Sequence, residues 1–225
     1  MDGILIVDKP KGMTSHDVVD VVRRIFGTKR VGHAGTLDPM ATGVLIVMIG
    51  KGTKHSQALS ADEKEYSATL TLGGRSSTGD AWGKIEPAGK VCNFSDEEII
   101  SVFKRFEGES AQVPPAYSAK KIKGVKMYHL ARRGEKIEPK AHKIYIKAIS
   151  ISGIHLPEVS FNLTCSKGTY VRQICVDIGE ILGCGGYLSR LERTRSGHFA
   201  ISQADSLDSL KLMSMERLAE RLLPL

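Results

Sequence analysis

Six consecutive apolar residues, Val44-Leu45-Ile46-Val47-Met48-Ile49, set the strongest condition on what this chain can fold into. A strand of that composition has no face left for water, so it must be central and covered on both sides. A second apolar run, Ile4-Leu5-Ile6-Val7, ends at Lys9-Pro10-Lys11-Gly12 and reads as a buried strand and turn. Between the two, Thr14 or Ser15 caps a helix whose Val18, Val22, Ile25 and Phe26 share one face, and Gly27 stops it. A polar, Gly-containing loop then runs from about Thr28 to Gly43.

The rest of the chain supplies partners for that strand. Tyr66, Ala68, Leu70 and Leu72 alternate with polar residues, the pattern of a half-exposed strand. Gly73–Gly83 reads as a mobile loop, and Ser95-Asp96-Glu97-Glu98 as a capping box opening a helix over Glu97–Phe106. Ile144–Ile151 and Val159–Cys165 alternate and suit a hairpin. Thr169–Leu182 reads as a helix with Val171, Ile174, Ile178 and Ile181 inward, and Asp208–Leu223 as a helical tail stopped by Pro224. Strands mixed with helices in this way predict an α/β (α+β) fold with a mixed sheet.

Length and composition narrow the class. At 225 residues, 41% hydrophobic and 25% charged, the chain suits a single domain with its own core. Lys and Arg outnumber Asp and Glu by 32 to 25, a formal charge of +7 that suits a polyanionic partner. The four cysteines form no C-x-x-C pair and have no zinc-site spacing, so reduced thiols and no metal are expected. With neither a signal peptide nor an apolar stretch near the ~20 residues that span a bilayer, the expectation is a soluble, cytoplasmic protein without a membrane partner.

Two basic groups stand out. Residues 112–143 are rich in Pro, Lys and Arg and read as a surface insertion with one short helix near Lys126–Arg133. Its run Lys120-Lys121-Ile122-Lys123-Gly124-Val125-Lys126, with Arg132-Arg133 and flanking Tyr117 and Tyr128, suits either a solvated face or contact with phosphates. Arg190, Arg193 and Arg195 form the second group, around Leu191.

The loop before Val44 carries the chemistry. Gly32, Gly35 and Gly43 permit tight turns, and Pro39 stiffens the chain just after the carboxylate of Asp38. On its own, an Asp before Pro in such a loop is more often a turn residue than a catalyst, and His33 more often a surface or capping histidine. No Walker spacing and no dinucleotide fingerprint is present, which is consistent with a chemistry that needs no cofactor.

The ordered motifs decide between these readings. Gly32-His33-Ala34-Gly35-Thr36-Leu37-Asp38-Pro39-Met40-Ala41-Thr42-Gly43 resembles the signature of the TruB family of tRNA pseudouridine synthases. Gly3 to Ser15, Lys64-Glu65-Tyr66, Pro115-Ala116-Tyr117-Ser118-Ala119-Lys120 and Cys165-Ser166-Lys167-Gly168-Thr169-Tyr170-Val171-Arg172 resemble four further family motifs, in the family's order. The resemblance implies a pseudouridine synthase fold with a largely antiparallel central sheet, flanking helices and an RNA-binding insertion. It implies one catalytic domain over residues 1–225, acting as a monomer on the T arm of tRNA, at position 55, and needing no protein partner.

Each residue's role is implied by the same resemblance. Asp38 matches the catalytic aspartate, which attacks the uridine or stabilises the broken glycosidic bond. A carboxylate drawn into a closed pocket tends to take up a proton, and Arg172 matches the arginine whose guanidinium opposes that. Tyr66 matches the tyrosine that stacks on the target base, with proton transfer as a second role. Tyr170 and Leu191 correspond to further pocket residues. His33 matches the histidine that fills the gap left by the flipped uridine, a step that costs a few kcal/mol. Lys120 and Lys121 fall where the insertion would meet RNA phosphates.

Many relatives continue past the position of Leu225 into a small RNA-binding domain of the PUA type, which this chain is expected to lack. Ala34 and Met40-Ala41-Thr42-Gly43 are of the bacterial kind, which counts against a guide-RNA-dependent synthase of the dyskerin type. A non-catalytic tRNA-binding or folding protein is the other alternative, and the presence of Asp38, Tyr66 and Arg172 together argues against it.

Overall fold

The computed structural model describes residues 1–89, 92–118, 120–122, 124–135 and 139–225. They divide into two compact units, Met1–Tyr66 with Leu191–Leu225, and Ser67–Arg190.

The chain opens with β1 (Gly3–Lys9), α1 (Ser15–Ile25), β2 (Val31–Ala34), β3 (Thr42–Ile49), α2 (Ser56–Ala61) and β4 (Lys64–Leu72). It continues through a hairpin of β5 (Gly74–Ser76) and β6 (Ile85–Pro87), then α3 (Asp96–Lys104), β7 (Gly108–Gln112), β8 (Lys121–Ile122), β9 (Val125–Lys126) and α4 (Met127–Arg132). The long strands β10 (His142–His155) and β11 (Glu158–Cys165) precede α5 (Val171–Leu182) and β12 (Gly186–Ser196). β13 (Phe199–Ala200), β14 (Asp205–Ser206), α6 (Leu207–Leu212) and α7 (Met215–Glu220) follow. Residues of β4 and β12 belong to both units.

In the first unit the strand order is β14-β1-β3-β12-β4, with β2 also on β3. β1 and β3 pair antiparallel from Gly3↔Ile49 to Lys9↔Gly43, and β12 joins β3 in parallel at Arg193↔Gly43. The alternation of side chains explains the all-apolar run. Leu45, Val47 and Ile49 pack with Leu5, Val7, Val18, Val22, Leu207 and Leu210. Val44, Ile46 and Met48 pack on the opposite face with Ile4, Ile6 and Ala34. Such double coverage makes β3 the core strand that its composition requires. Thr14 caps α1 in a capping box closed by Asp17: its hydroxyl accepts from Asp17 N at 3.1 Å, and the carboxylate accepts from Thr14 N at 2.7 Å. Those bonds to Thr14 hold the Asp17 carboxyl below its ordinary pKa.

In the second unit the order is β12-β4-β11-β10-β7, with β10 antiparallel to both β11 and β7. Ser95 and Glu98 close the capping box of α3, and Phe103 packs edge-on against Phe161 with ring centroids 5.2 Å apart. The fold is therefore the mixed α/β arrangement that the patterning predicts, with the mostly antiparallel sheet that the resemblance implies.

Several expectations need correction. On α5, Val171, Ile174 and Ile178 are buried as expected, together with Cys175, but Ile181 is 44% exposed rather than inward. The tail is two short helices broken at Met213 and Ser214, where Ser214 caps the second. Part of the loop before Gly43 is strand β2, and the Arg-bearing stretch around Leu191 is strand β12. Gly73–Gly83, expected to be a mobile loop, holds β5 and a turn closed by its own hydroxyls, as described below. Within the expected surface insertion, Lys120 and Arg133 are exposed, whereas Gln112, Ser118 and Met127 are buried. The side chains of Lys121 and Arg132, and the whole of Lys123, lie outside the described residues. No helix among the described residues is long and apolar enough to cross a membrane.

Candidate catalytic site

Asp38 sits, partly buried, on the connection from β2 to β3 in the first unit. Both sides of its turn are clamped. The Ser15 hydroxyl accepts from Leu37 N at 2.9 Å and donates to Leu37 O at 3.1 Å. Gly12 N donates to Pro39 O at 2.9 Å, and Ala41 N returns to Asp38 O at 3.0 Å. Leu37, Met40 and Ala41 are buried beside it, so the turn is anchored by apolar side chains as well. A carboxylate is thus presented on a rigid backbone, the arrangement that positioned catalysis needs.

Two buried cations stand behind this turn. Lys9 donates from Nζ to Met13 O at 2.6 Å, to Pro10 O at 3.0 Å and to Pro39 O at 3.4 Å. Burial lowers its pKa to about 8, partly offset by the attraction of Asp38. At neutral pH it therefore still carries a charge beside the aspartate. Arg193, on β12, donates from Nε to Val44 O at 2.7 Å and from a terminal nitrogen to Gly35 O at 2.9 Å. It ties together the two ends of the Asp38 connection. Gly43 is required here: its φ is +97°, and a Cβ would lie 2.3 Å from the backbone oxygen of Arg193.

The state of Lys9 has a measurable consequence. Unfolded, the amine keeps its proton up to about 10.5, whereas folded it loses it near 8. Between those values the unfolded chain binds the extra proton, so this group makes stability rise with pH there, by at most about 1.4 kcal/mol per pH unit. Burial raises the thiol pKa of Cys175, which acts in the opposite direction but equally in a Lys9→Met variant. Chemical denaturation of both proteins at pH 7 to 10 should show the wild type gaining on the variant above pH 8. Parallel stability curves would contradict the buried, depressed lysine.

The other first-unit candidates are placed by strands. His33 is on β2, where it pairs with Val47, and is partly buried. Tyr66 is buried on β4 and Leu191 is buried on β12. Next to Tyr66, Glu65 is ion-paired with Arg195, and Lys64 is buried with its ammonium on the carbonyls of Ser60 and Asp62.

The second unit holds Arg172 and Tyr170 at the start of α5. Arg172 is 3% exposed; its terminal nitrogens donate to Thr78 O and Tyr117 O, both at 2.9 Å, and its Nε lies 3.8 Å from Asp80 Oδ2. The guanidinium is thus oriented on two carbonyls and one acid, Asp80, within its own unit. Tyr170 caps α5 through its backbone. Its N–H donates to Gln112 Oε1 at 2.8 Å, its carbonyl accepts from Gln112 Nε2 at 3.1 Å, and the His142 ring stands edge-on at 6.2 Å. Lys120 is exposed.

Sequence reasoning missed Lys9, Asp80 and Gln112 as site residues and read Arg193 only as part of a basic group. Their signals were present but ambiguous: a Lys before Pro, an Asp after Gly, a Gln before Val-Pro-Pro. Only burial separates them from surface residues of the same type.

Comparison with known proteins bears on the whole chain. The family model described as TruB family pseudouridylate synthase (N terminal domain) matches residues 23–171, and that of the tRNA pseudouridylate synthase B C-terminal domain matches residues 172–225. The tRNA pseudouridine synthase B of Alkaliphilus oremlandii is 48% identical, the match covering 100% of this chain and 74% of that protein. The protein of the same name from Opitutus terrae is 43% identical over 100% of this chain and 93% of its own length. Among solved structures, a chain of a Cbf5-Nop10-Gar1 complex superposes with a TM-score of 0.72 at 32% identity, covering 92% of this chain and 52% of that one. A chain of an H/ACA RNP bound to a substrate RNA containing 2'-deoxyuridine gives 0.69 at 31% identity, with 92% and 51% covered. This chain spans about half the length of those two.

Proposed function

The chain belongs to the TruB family of pseudouridylate synthases, and from that membership we propose that it isomerises uridine to pseudouridine in the T arm of tRNA, at position 55. The observation that carries the reading is Asp38, a carboxylate held on a doubly clamped turn with a buried ammonium behind it. In the reaction the N1–C1′ bond of uridine breaks, the base turns, C5 joins C1′, and the C5 proton leaves. No electrons are exchanged, so no redox cofactor is called for.

Residues 1–225 act as one catalytic domain in this reading, as a cytoplasmic monomer. Asp38 attacks the nucleoside or stabilises the cationic sugar, and Arg172 pairs with it to keep it ionised inside the closed pocket. Tyr66 stacks on the base, a contact worth about 1–3 kcal/mol. Tyr170 and Leu191 line the pocket, and His33 fills the gap in the RNA stack. Lys120 and Lys121 meet phosphates, which makes binding salt-dependent. A second reading, a guide-dependent synthase, is favoured by the superposed H/ACA chain; the higher identity to proteins named tRNA pseudouridine synthase B supports the first.

The test is tritium release from tRNA transcripts labelled at uridine C5. Release from unguided transcript is expected, and changing the T-arm uridine to cytidine should abolish it. Unchanged release would move the target to another uridine, and no release from the unaltered transcript would overturn the synthase reading.

A further inference from the structure

The only tryptophan of the chain, Trp82, is 52% exposed, although tryptophan is among the most buried residues on average. Isolated exposed apolar side chains are common, so exposure alone decides nothing. What singles out Trp82 is the rigidity and position of its mount. It follows Gly79-Asp80-Ala81 in the turn between β5 and β6, and its backbone N–H donates to Asp80 Oδ1 at 3.0 Å. The same carboxylate accepts from Thr78 Oγ1 at 2.7 Å, and its other oxygen lies 3.8 Å from Arg172 Nε.

The turn is tied on every side. Ala81 N donates to Leu188 O at 2.9 Å and Leu188 N to Gly79 O at 3.0 Å. Ser77 and Lys84 close its base, and Gly83 N returns to Asp80 O at 3.2 Å. At Gly83 a Cβ would lie 2.4 Å from both Ser76 Oγ and Thr78 Oγ1, so the chain there has no freedom to spread. The result is a large aromatic plate held out to solvent with two χ angles left to fix, two residues beyond Asp80, whose carboxylate faces Arg172. A side chain so restricted loses little entropy when something stacks on it.

We propose that Trp82 is a stacking site for an unpaired nucleobase of the RNA substrate, next to the hydrogen-bond network of Arg172. The inference rests on the reading of the chain as an RNA-modifying enzyme, and it adds an aromatic contact that the five ordered motifs do not contain. A nucleobase fits better than an aliphatic partner, because the excess of basic residues, a formal charge of +7, favours an anionic chain whose bases offer π-faces.

Being the sole tryptophan, Trp82 reports on itself. Addition of unmodified tRNA transcript, with binding followed independently by filter retention, should quench its fluorescence and shield it from acrylamide. Trp82→Ala should lower kcat/KM about tenfold, chiefly through KM, and Trp82→Phe should restore most of the loss. RNA retained on the filter with emission and acrylamide access unchanged would overturn the proposal, as would a Trp82→Ala enzyme with wild-type kcat/KM. Failure of the wild type to retain RNA would instead bring down the RNA-modifying reading, and this inference with it.

Discussion

Asp38→Asn should reduce tritium release from C5-labelled tRNA by on the order of 10³–10⁴-fold, with retention of tRNA on filters kept within a few-fold of wild type. Asparagine has the size of aspartate, and the turn keeps three clamps that do not use the carboxylate: Ser15 Oγ with Leu37, Gly12 N with Pro39 O, Ala41 N with the residue 38 carbonyl. The fold is therefore expected to survive and the negative charge alone to be lost. A neutral amide can neither attack the nucleoside nor stabilise a developing cation, so kcat should carry the effect. The charge change has a second readout. Asp38 raises the pKa of Lys9, so its removal should push that amine further below about 8, detectable as an earlier onset of the stability gain with rising pH. Equal release from both proteins would sink the assignment of Asp38.

How much of this was legible beforehand follows the range of the interactions. Local rules placed β1, α1 with its Thr14 cap, β3, the Ser95–Glu98 box and the β10–β11 pair, because each depends on spacing within a few residues. The double coverage of β3 was readable from its unbroken apolar run. β12 was not, since Arg190, Arg193 and Arg195 look like a solvated basic face, and only the parallel pairing with β3 buries Arg193. Ser76, Thr78 and Asp80 likewise read as loop polarity, yet their hydroxyls and carboxylate bond one another and leave Asp80 facing Arg172. At the site, the motifs supplied Asp38 and Arg172 by resemblance. What they could not supply was the buried lysine behind Asp38, because whether a Lys before Pro is solvated or enclosed depends on residues thirty positions away.

That enclosure makes Arg193 the structural residue whose loss should cost most. Arg193→Met keeps much of the side chain's length and apolar volume but removes both donors, leaving Val44 O and Gly35 O without the charged partners they have at 2.7 and 2.9 Å. Hydrogen bonds to charged groups contribute about 1.5–3 kcal/mol each, and breaking a buried charged network commonly costs 3–5 kcal/mol. Relief from holding a cation that is only 1% exposed offsets part of this, so a net loss of about 3 kcal/mol is expected. For a chain of this length that corresponds to a fall of roughly 6–12 °C in the melting temperature. Activity should fall further than stability, because the two carbonyls lie at the two ends of the Asp38 connection and the clamps at Leu37 and Pro39 would hold it only in the middle. Arg193→Lys, whose single ammonium can serve one carbonyl well but not both, should lie between. Calorimetry together with tritium release well below the transition separates the two effects. A melting temperature within about 2 °C of wild type for Arg193→Met would mean that parallel pairing at Gly43, and not the guanidinium, holds the loop in place.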